Sequence, residues 1–333
     1  MTVPRSKYSL PAGVLPVDPR GRSEDAGSHV RPKAPPAAEA RTDGQDEHRD
    51  TPADRAQSLV TWLVTLGPKE VAPVIRRLLP LGNFALEEIA RRFPEPLWRL
   101  SGATDSRLPR PDEISATAAA LATFEEEAVP YLIRLMHHPR STVRYYATVV
   151  CAAYSSLGLV GPLAQTALDE DQSCRHVALH ILSRNQHEPA YQPALAYLRR
   201  HAADATQAPA TRRRAISALA QLRDDASVGL FVDLLANPDR GIATASRVGL
   251  RVLTAHDFGF SRESWLRWYS QRGRSQRAEW LIEGLGDGRP NIRVLASREL
   301  WALTRLLEPL DEADDRDAFL AARQQYERWQ AKN

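Results

Sequence analysis

From Ala56 onward, apolar residues recur three and four positions apart. Leu59, Leu63 and Leu66, with Trp62, form one stripe, which Gly67-Pro68 ends. Val71, Val74, Ile75, Leu78 and Leu79 form a second, and Phe84, Leu86, Ile89, Ala90 and Phe93 a third. This spacing gathers apolar side chains on one helix face, which must then pack against a neighbour. The segment Phe93-Pro94-Glu95-Pro96-Leu97-Trp98 reads as a turn whose aromatic rings seal this first layer. Ser101 to Asp112, broken by Gly102, Pro109 and Pro111, reads as a loop. Alternating β-branched runs bounded by turn dipeptides are missing, so an all-α fold is expected.

The second half of the chain repeats one phrase: an apolar helix, a polar turn, then Arg with small residues opening another apolar helix. Copies run through Leu132 to Ala147, Leu168 to Ala178, up to Thr211-Arg212-Arg213-Arg214-Ala215, Leu234 to Ser246 and Leu285 to Ala296. Taking Arg144, Arg175, Arg212, Ala243 and Arg293 as equivalent gives spacings of 31, 37, 31 and 50 residues. Self-similarity at roughly 20 to 50 residues marks a stack of helical hairpins, each buried against the next. The longest spacing holds an aromatic insert, residues 254–272, with Asp257-Phe258-Gly259-Phe260 followed by Trp265, Trp268 and Tyr269. A degenerate second copy follows as Leu303-Thr304 and then Tyr326 and Trp329. Rings three residues apart share one helical face.

These repeats resemble the HEAT family, whose units pair two antiparallel helices with Pro in or before the first, Asp in the turn and Arg opening the second. Pro130, Pro162 and Pro193 match the first feature, Asp171, Asp239 and Asp287 the second, and Arg144, Arg175, Arg212 and Arg293 the third. Ala243 departs from the pattern, which interrupts any continuous Asp–Arg ladder. The resemblance, which covers about residues 115–310, implies an all-α αα-superhelix, a HEAT-like solenoid. The aromatic insert is similar to a phrase met in bacterial HEAT-like proteins of unassigned role. The expected organisation is a disordered Pro-rich tail at 1–55, N-terminal capping helices at 56–112, repeats at 113–310 and a C-terminal capping helix at 311–333. The tail is too polar and Pro-rich to offset the entropy of ordering its backbone. Its one apolar island, Tyr8 to Pro16, is a candidate short docking motif.

Charge changes this picture little. Forty-four basic residues against 41 acidic leave a net +3, too balanced to draw nucleic acid by total field alone. Only four of the basic residues are Lys, so Arg carries nearly all the positive charge. Two cysteines, Cys151 and Cys174, give no disulfide framework. Without a signal-type apolar stretch or a membrane-length one, the expected compartment is the cytoplasm of a bacterium.

Several constellations suggest chemistry and lose it on inspection. Asp257-Phe258-Gly259 and His48-Arg49-Asp50 copy two kinase triplets, but they stand 209 residues apart and lack a Gly-rich loop. Cys174, His176 and His180 share a helix, yet the apolar stripe turns Cys174 inward and both histidines away, so no metal or other cofactor is expected. Trp265, Trp268 and Tyr269 are expected to be core. The repeat-opening arginines Arg144 and Arg175, with Arg212, Arg213 and Arg214, are the candidate partner-binding residues. Against this stands the simpler expectation that each repeat-opening Arg pairs with a turn Asp. For 212–214, too few acids stand nearby in sequence, so at least one guanidinium is expected to be free. The expected function is a non-catalytic scaffold or adaptor that binds a protein partner, such as an acidic segment, on the concave face. Two alternatives follow from the resemblance: a DNA-binding protein of the alkylpurine glycosylase type, with a basic groove and a buried Asp between exposed tryptophans, and a bilin-lyase-like protein.

Overall fold

The computed structural model describes residues 51–98, 107–185, 188–273 and 276–332. Within them the chain is all-α, with seventeen α-helices and no strand beyond an isolated bridge between Leu97 and Ser115. None of these helices is long and apolar enough to cross a membrane. Consecutive helices pack as neighbours, as in an α solenoid. The chain divides into two compact units, one up to Pro162 with Asp171–Ala178, the other Leu163–Glu170 with Leu179 onward.

The first unit contains α1 (Pro52–Leu63), α2 (Val71–Leu78), α3 (Asn83–Arg92), α4 (Pro111–Ile114), α5 (Ala116–Thr123), α6 (Val129–Met136) and α7 (Ser141–Cys151). Helix α1 begins earlier than the sequence reading placed it. Thr51 accepts a hydrogen bond from the Asp54 amide while Asp54 accepts from the Thr51 amide, and Pro52 fills the first turn. Pro52 thus pre-sets the helical φ where no amide partner is needed, and residues 52–55, assigned to the tail from the sequence, belong to α1. The remaining tail, including the Tyr8–Pro16 island and His48-Arg49-Asp50, lies outside the described residues. The third stripe also needs correction. Phe84 is 53% exposed, and the buried set is Ala85, Leu86, Ile89, Ala90 and Phe93. Helix α5 is buried all round, from Ala116 to Leu121, because its alanines let α3 and α7 pack close on it. In the turn after α3, Trp98 Nε1 donates to the Leu66 carbonyl at 3.3 Å, tying it to the end of α1.

The boundary between units runs through α8 (Val160–Thr166) and α9 (Gln172–Ser183). The second unit continues with α10 (Gln192–Ala203), α11 (Pro209–Gln221), α12 (Val228–Leu234), α13 (Arg240–Thr254), α14 (Arg262–Arg272), α15 (Arg277–Gly284), α16 (Pro290–Thr304) and α17 (Arg316–Gln330). Hairpins α10–α11, α12–α13 and α15–α16 stack so that the second helix of each, α11, α13 and α16, follows the last. The turn aspartates cap or brace these second helices. Asp239 accepts from the Ile242 amide at 2.9 Å, and Asp171 accepts from the Cys174 amide at 3.0 Å at the start of α9.

The aromatic insert forms α14, which lies on α12 as α17 lies on α15. The two copies end their second helices alike: Thr254 Oγ1 donates to the Leu250 carbonyl and accepts from the His256 amide, and Thr304 Oγ1 does the same with Leu300 and Leu306. Ala255 and Arg305 then take the left-handed conformation, with φ of 52° and 56°. The degenerate repeat is therefore a structural one, each copy a hairpin with a third helix laid across its first. Its last core gathers Leu281, Leu285, Leu300, Phe319 and Tyr326.

Candidate interaction surface

The arginines that open the second helices point inward. Arg144 Nη1 donates to the carbonyls of His138 and Pro139, both at 3.0 Å. Arg293 Nη1 repeats this on Asp287 and Gly288, at 3.0 and 3.1 Å, so both arginines reach back six and five residues to the turn. Arg212, 7% exposed, donates through Nε to the Ala202 carbonyl at 3.1 Å. Carbonyl oxygens left over at the end of a helix take these donors. At these three positions the guanidinium is thus held by carbonyls, of the turn for Arg144 and Arg293 and of the end of α10 for Arg212. Asp171 and Asp239 cap amides, Asp239 also stands 3.6 Å from Arg213, and both oxygens of Asp287 accept from Arg289. Arg175 is half-buried near the start of α9, its amide on the Asp171 carbonyl at 3.2 Å.

The cluster at 212–214 does not leave a free guanidinium. Arg214 donates to the Leu168 carbonyl at 3.3 Å, and Arg213 lies 3.6 Å from Asp239 of the next repeat. Sequence separation hid the second contact, since the stacking of α11 on α13 brings it about.

The surface charge sits elsewhere on the same helices. Helix α11 carries three arginines, α13 three and α16 two, and the one acid among the three helices is Glu299, which is 6% exposed. Arg240 on α13 and Arg298 on α16 are exposed and have no ion-pair partner among the described residues. Arg247 and Arg251 lie about two and three turns further along α13. The scarcity of acids on three consecutive second helices, Glu299 alone, was readable in the sequence once the helices were paired.

Asp257 organises the loop after α13. Arg247 clamps its two oxygens at 2.9 and 2.8 Å, the Gly259 amide adds a bond at 3.0 Å, and Arg251 and Arg289 stand 3.7 and 3.9 Å away. The bond from Arg247 holds the carboxyl below its usual range despite burial. Arg289 forks onto Asp287 and donates to the Asp257 carbonyl. The kinase-like triplet is therefore a loop clamp.

Beneath this loop the aromatic insert forms a core. Trp265 is fully buried, its Nε1 on the Gly259 carbonyl at 3.1 Å, with its ring edge-on to Phe258 and Trp268 at 4.9 and 5.9 Å. Trp268 is half-buried between His256 and Trp280, and Tyr269 is half-buried as well. In α9, Cys174 is buried, with Sγ 3.7 Å from the Ser141 carbonyl, and His176 and His180 are half-buried. No group of three or more metal-ligating side chains converges among the described residues.

His256 gives this region a pH dependence. Its Nδ1–H donates to the Thr254 carbonyl at 2.8 Å, leaving Nε2 3.7 Å from Glu283, which also pairs with Arg272, while Asp287 and Arg289 are the other charges acting on it. Burial dominates and lowers its pKa below the ordinary 6.5. The unfolded chain therefore takes up a proton first, so stability is full above about pH 6.5 and declines as pH falls below it. His256→Gln is expected to flatten the decline in melting temperature between about pH 7 and pH 5, as followed by circular dichroism. An unchanged decline would assign it to other groups.

No family model matches the chain, and no curated protein does. The chain is similar to a crystal structure of an engineered protein at 16% identity, over 75% of this chain and 96% of that one, with a TM-score of 0.30. A second engineered protein matches at 15% identity over 74% of this chain and 62% of its own, with a TM-score of 0.29. Neither value is high enough to assign a fold or a function to this chain.

Proposed function

We propose that the chain is a non-catalytic, HEAT-like interaction module that binds an acidic protein segment along α13 and α16. The observation that carries this reading is the one-sided charge of those helices: Arg240 and Arg298 are exposed without an ion-pair partner among the described residues, and the one acid within the helices, Glu299, is buried. Single exposed ion pairs are worth only about 0.2–1 kcal/mol. Useful affinity therefore needs several contacts at once, which a row of arginines supplies to an extended acidic chain. A glycosylase-type site would need exposed tryptophans flanking an open carboxylate, whereas Trp265 is buried and Asp257 is clamped.

Arg240→Glu with Arg298→Glu is the appropriate reversal, because neither residue has an intramolecular partner. Reversing Arg213 would instead set two acids against each other at Asp239. In fluorescence anisotropy with a labelled oligoglutamate peptide, the double reversal is expected to weaken binding about tenfold or more, while the melting curve stays close to wild type. Failure of the wild type to bind the peptide would overturn the reading. Tight binding of duplex DNA at about 150 mM salt, lost in the reversal, would replace it with a nucleic-acid function.

A further inference from the structure

We infer that Arg251, Phe260 and Val248 form the anchor of this surface, and that the segment it takes carries an apolar side chain next to a carboxylate. The inference rests on the proposed binding of an acidic segment and names its chemistry. Three guanidinium groups, of Arg247, Arg251 and Arg289, surround two carboxylates, of Asp257 and Asp287. Arg247 takes both oxygens of Asp257, and Arg289 takes both of Asp287. Arg251 is left as the surplus charge. Its Nε is buried facing Asp257 at 3.7 Å, so the edge left to grip a ligand is the pair of Nη groups of a side chain that is 29% exposed. A planar guanidinium with unused donors suits a carboxylate, which it grips by two parallel bonds.

The apolar half of the anchor is equally specific. Phe260 is 51% exposed and Val248 50%. The guanidinium of Arg247 lies over the Phe260 ring at 5.0 Å, so the Asp257 clamp also fixes this ring at the surface. Val248 shares the outward row of α13 with Arg251, three residues on. The clamp, the ring and the part-exposed Arg251 thus border one patch, and aromatic and Arg positions are where binding energy concentrates.

The test uses the full chain and two labelled 12-residue peptides, one alternating Glu and Leu, the other Glu and Ser. The wild type is expected to prefer the Glu/Leu peptide about tenfold. Arg251→Gln should weaken both peptides, whereas Phe260→Ser should weaken the Glu/Leu peptide alone and remove the preference. Arg251→Lys, which keeps the charge and loses the fork, should recover only part of the affinity. If Arg251→Gln and Phe260→Ser leave both affinities unchanged while the reversal at Arg240 and Arg298 weakens them, the anchor is wrong and the acidic-segment surface stands. If neither peptide binds the wild type, both fall. Melting curves of each variant separate lost binding from lost folding.

Discussion

Trp265→Ala is expected to destabilise the second unit by about 3–5 kcal/mol, the cost of emptying a large aromatic site in a packed core. The ring is fully buried, and its loss also strips the Gly259 carbonyl of its donor and removes edge-on contacts with Phe258 and Trp268. The loop 255–261 depends on those contacts for its course over the core. Trp268→Ala should cost less, because Trp268 is only half-buried and its Nε1 has no acceptor to lose. Urea unfolding followed by circular dichroism measures both. A chain of two units need not unfold in one step, so the comparison belongs to the transition of the second unit. Equal costs for the two tryptophans would contradict the packing described.

Glu299→Ala should be comparably severe, at about 3–5 kcal/mol, because it leaves a charge buried without its partner. Glu299 receives Arg277 at 2.7 Å and Arg223 at 2.8 Å, and Arg277 is only 9% exposed. Arg277 also donates to the Leu253 and Val252 carbonyls, so it cannot swing out to water without breaking the joint between α13 and α15. Burial pushes the Glu299 carboxyl up, but the bond and charge of Arg223 and the charge of Arg277 outweigh it and leave it below its ordinary 4.5. Its stabilisation is therefore complete above about pH 4.5 and is lost as pH falls below that value. Replacing both partners, with Glu299→Leu and Arg277→Met, should restore much of the stability, since a well-packed apolar pair removes the desolvation cost. If Glu299→Ala proves as mild as a surface substitution, the triad contributes little.

The depth to which the sequence was readable follows the range of each interaction. Apolar spacing located α1 to α3 because a helical stripe depends on residues three and four apart. It erred at Phe84, where a single residue step, about 100° around the helix, decides between core and solvent. The start of α1 was written in Thr51-Pro52-Ala53-Asp54, a local cap that the prolines of the tail disguised. Even the reach of Arg144 and Arg293 to turn carbonyls lies within six residues, and it recurs because the same hairpin recurs.

The fate of the remaining arginines was decided at longer range. Arg213 meets Asp239, Arg289 meets Asp257, and Arg223 meets Glu299 across 76 residues, each only because helices from successive hairpins stack. A guanidinium is neutralised by whatever acceptor tertiary packing delivers. Its sequence neighbours therefore say little about whether it is free, and the cluster at 212–214 looked more available than it is. Helix spacing, caps and the repeated phrase were fixed by residues within one or two turns of each other. Packing alone determined that Arg240 and Arg298 are exposed without an ion-pair partner among the described residues, while the repeat-opening Arg144, Arg212 and Arg293 donate to carbonyls within the fold.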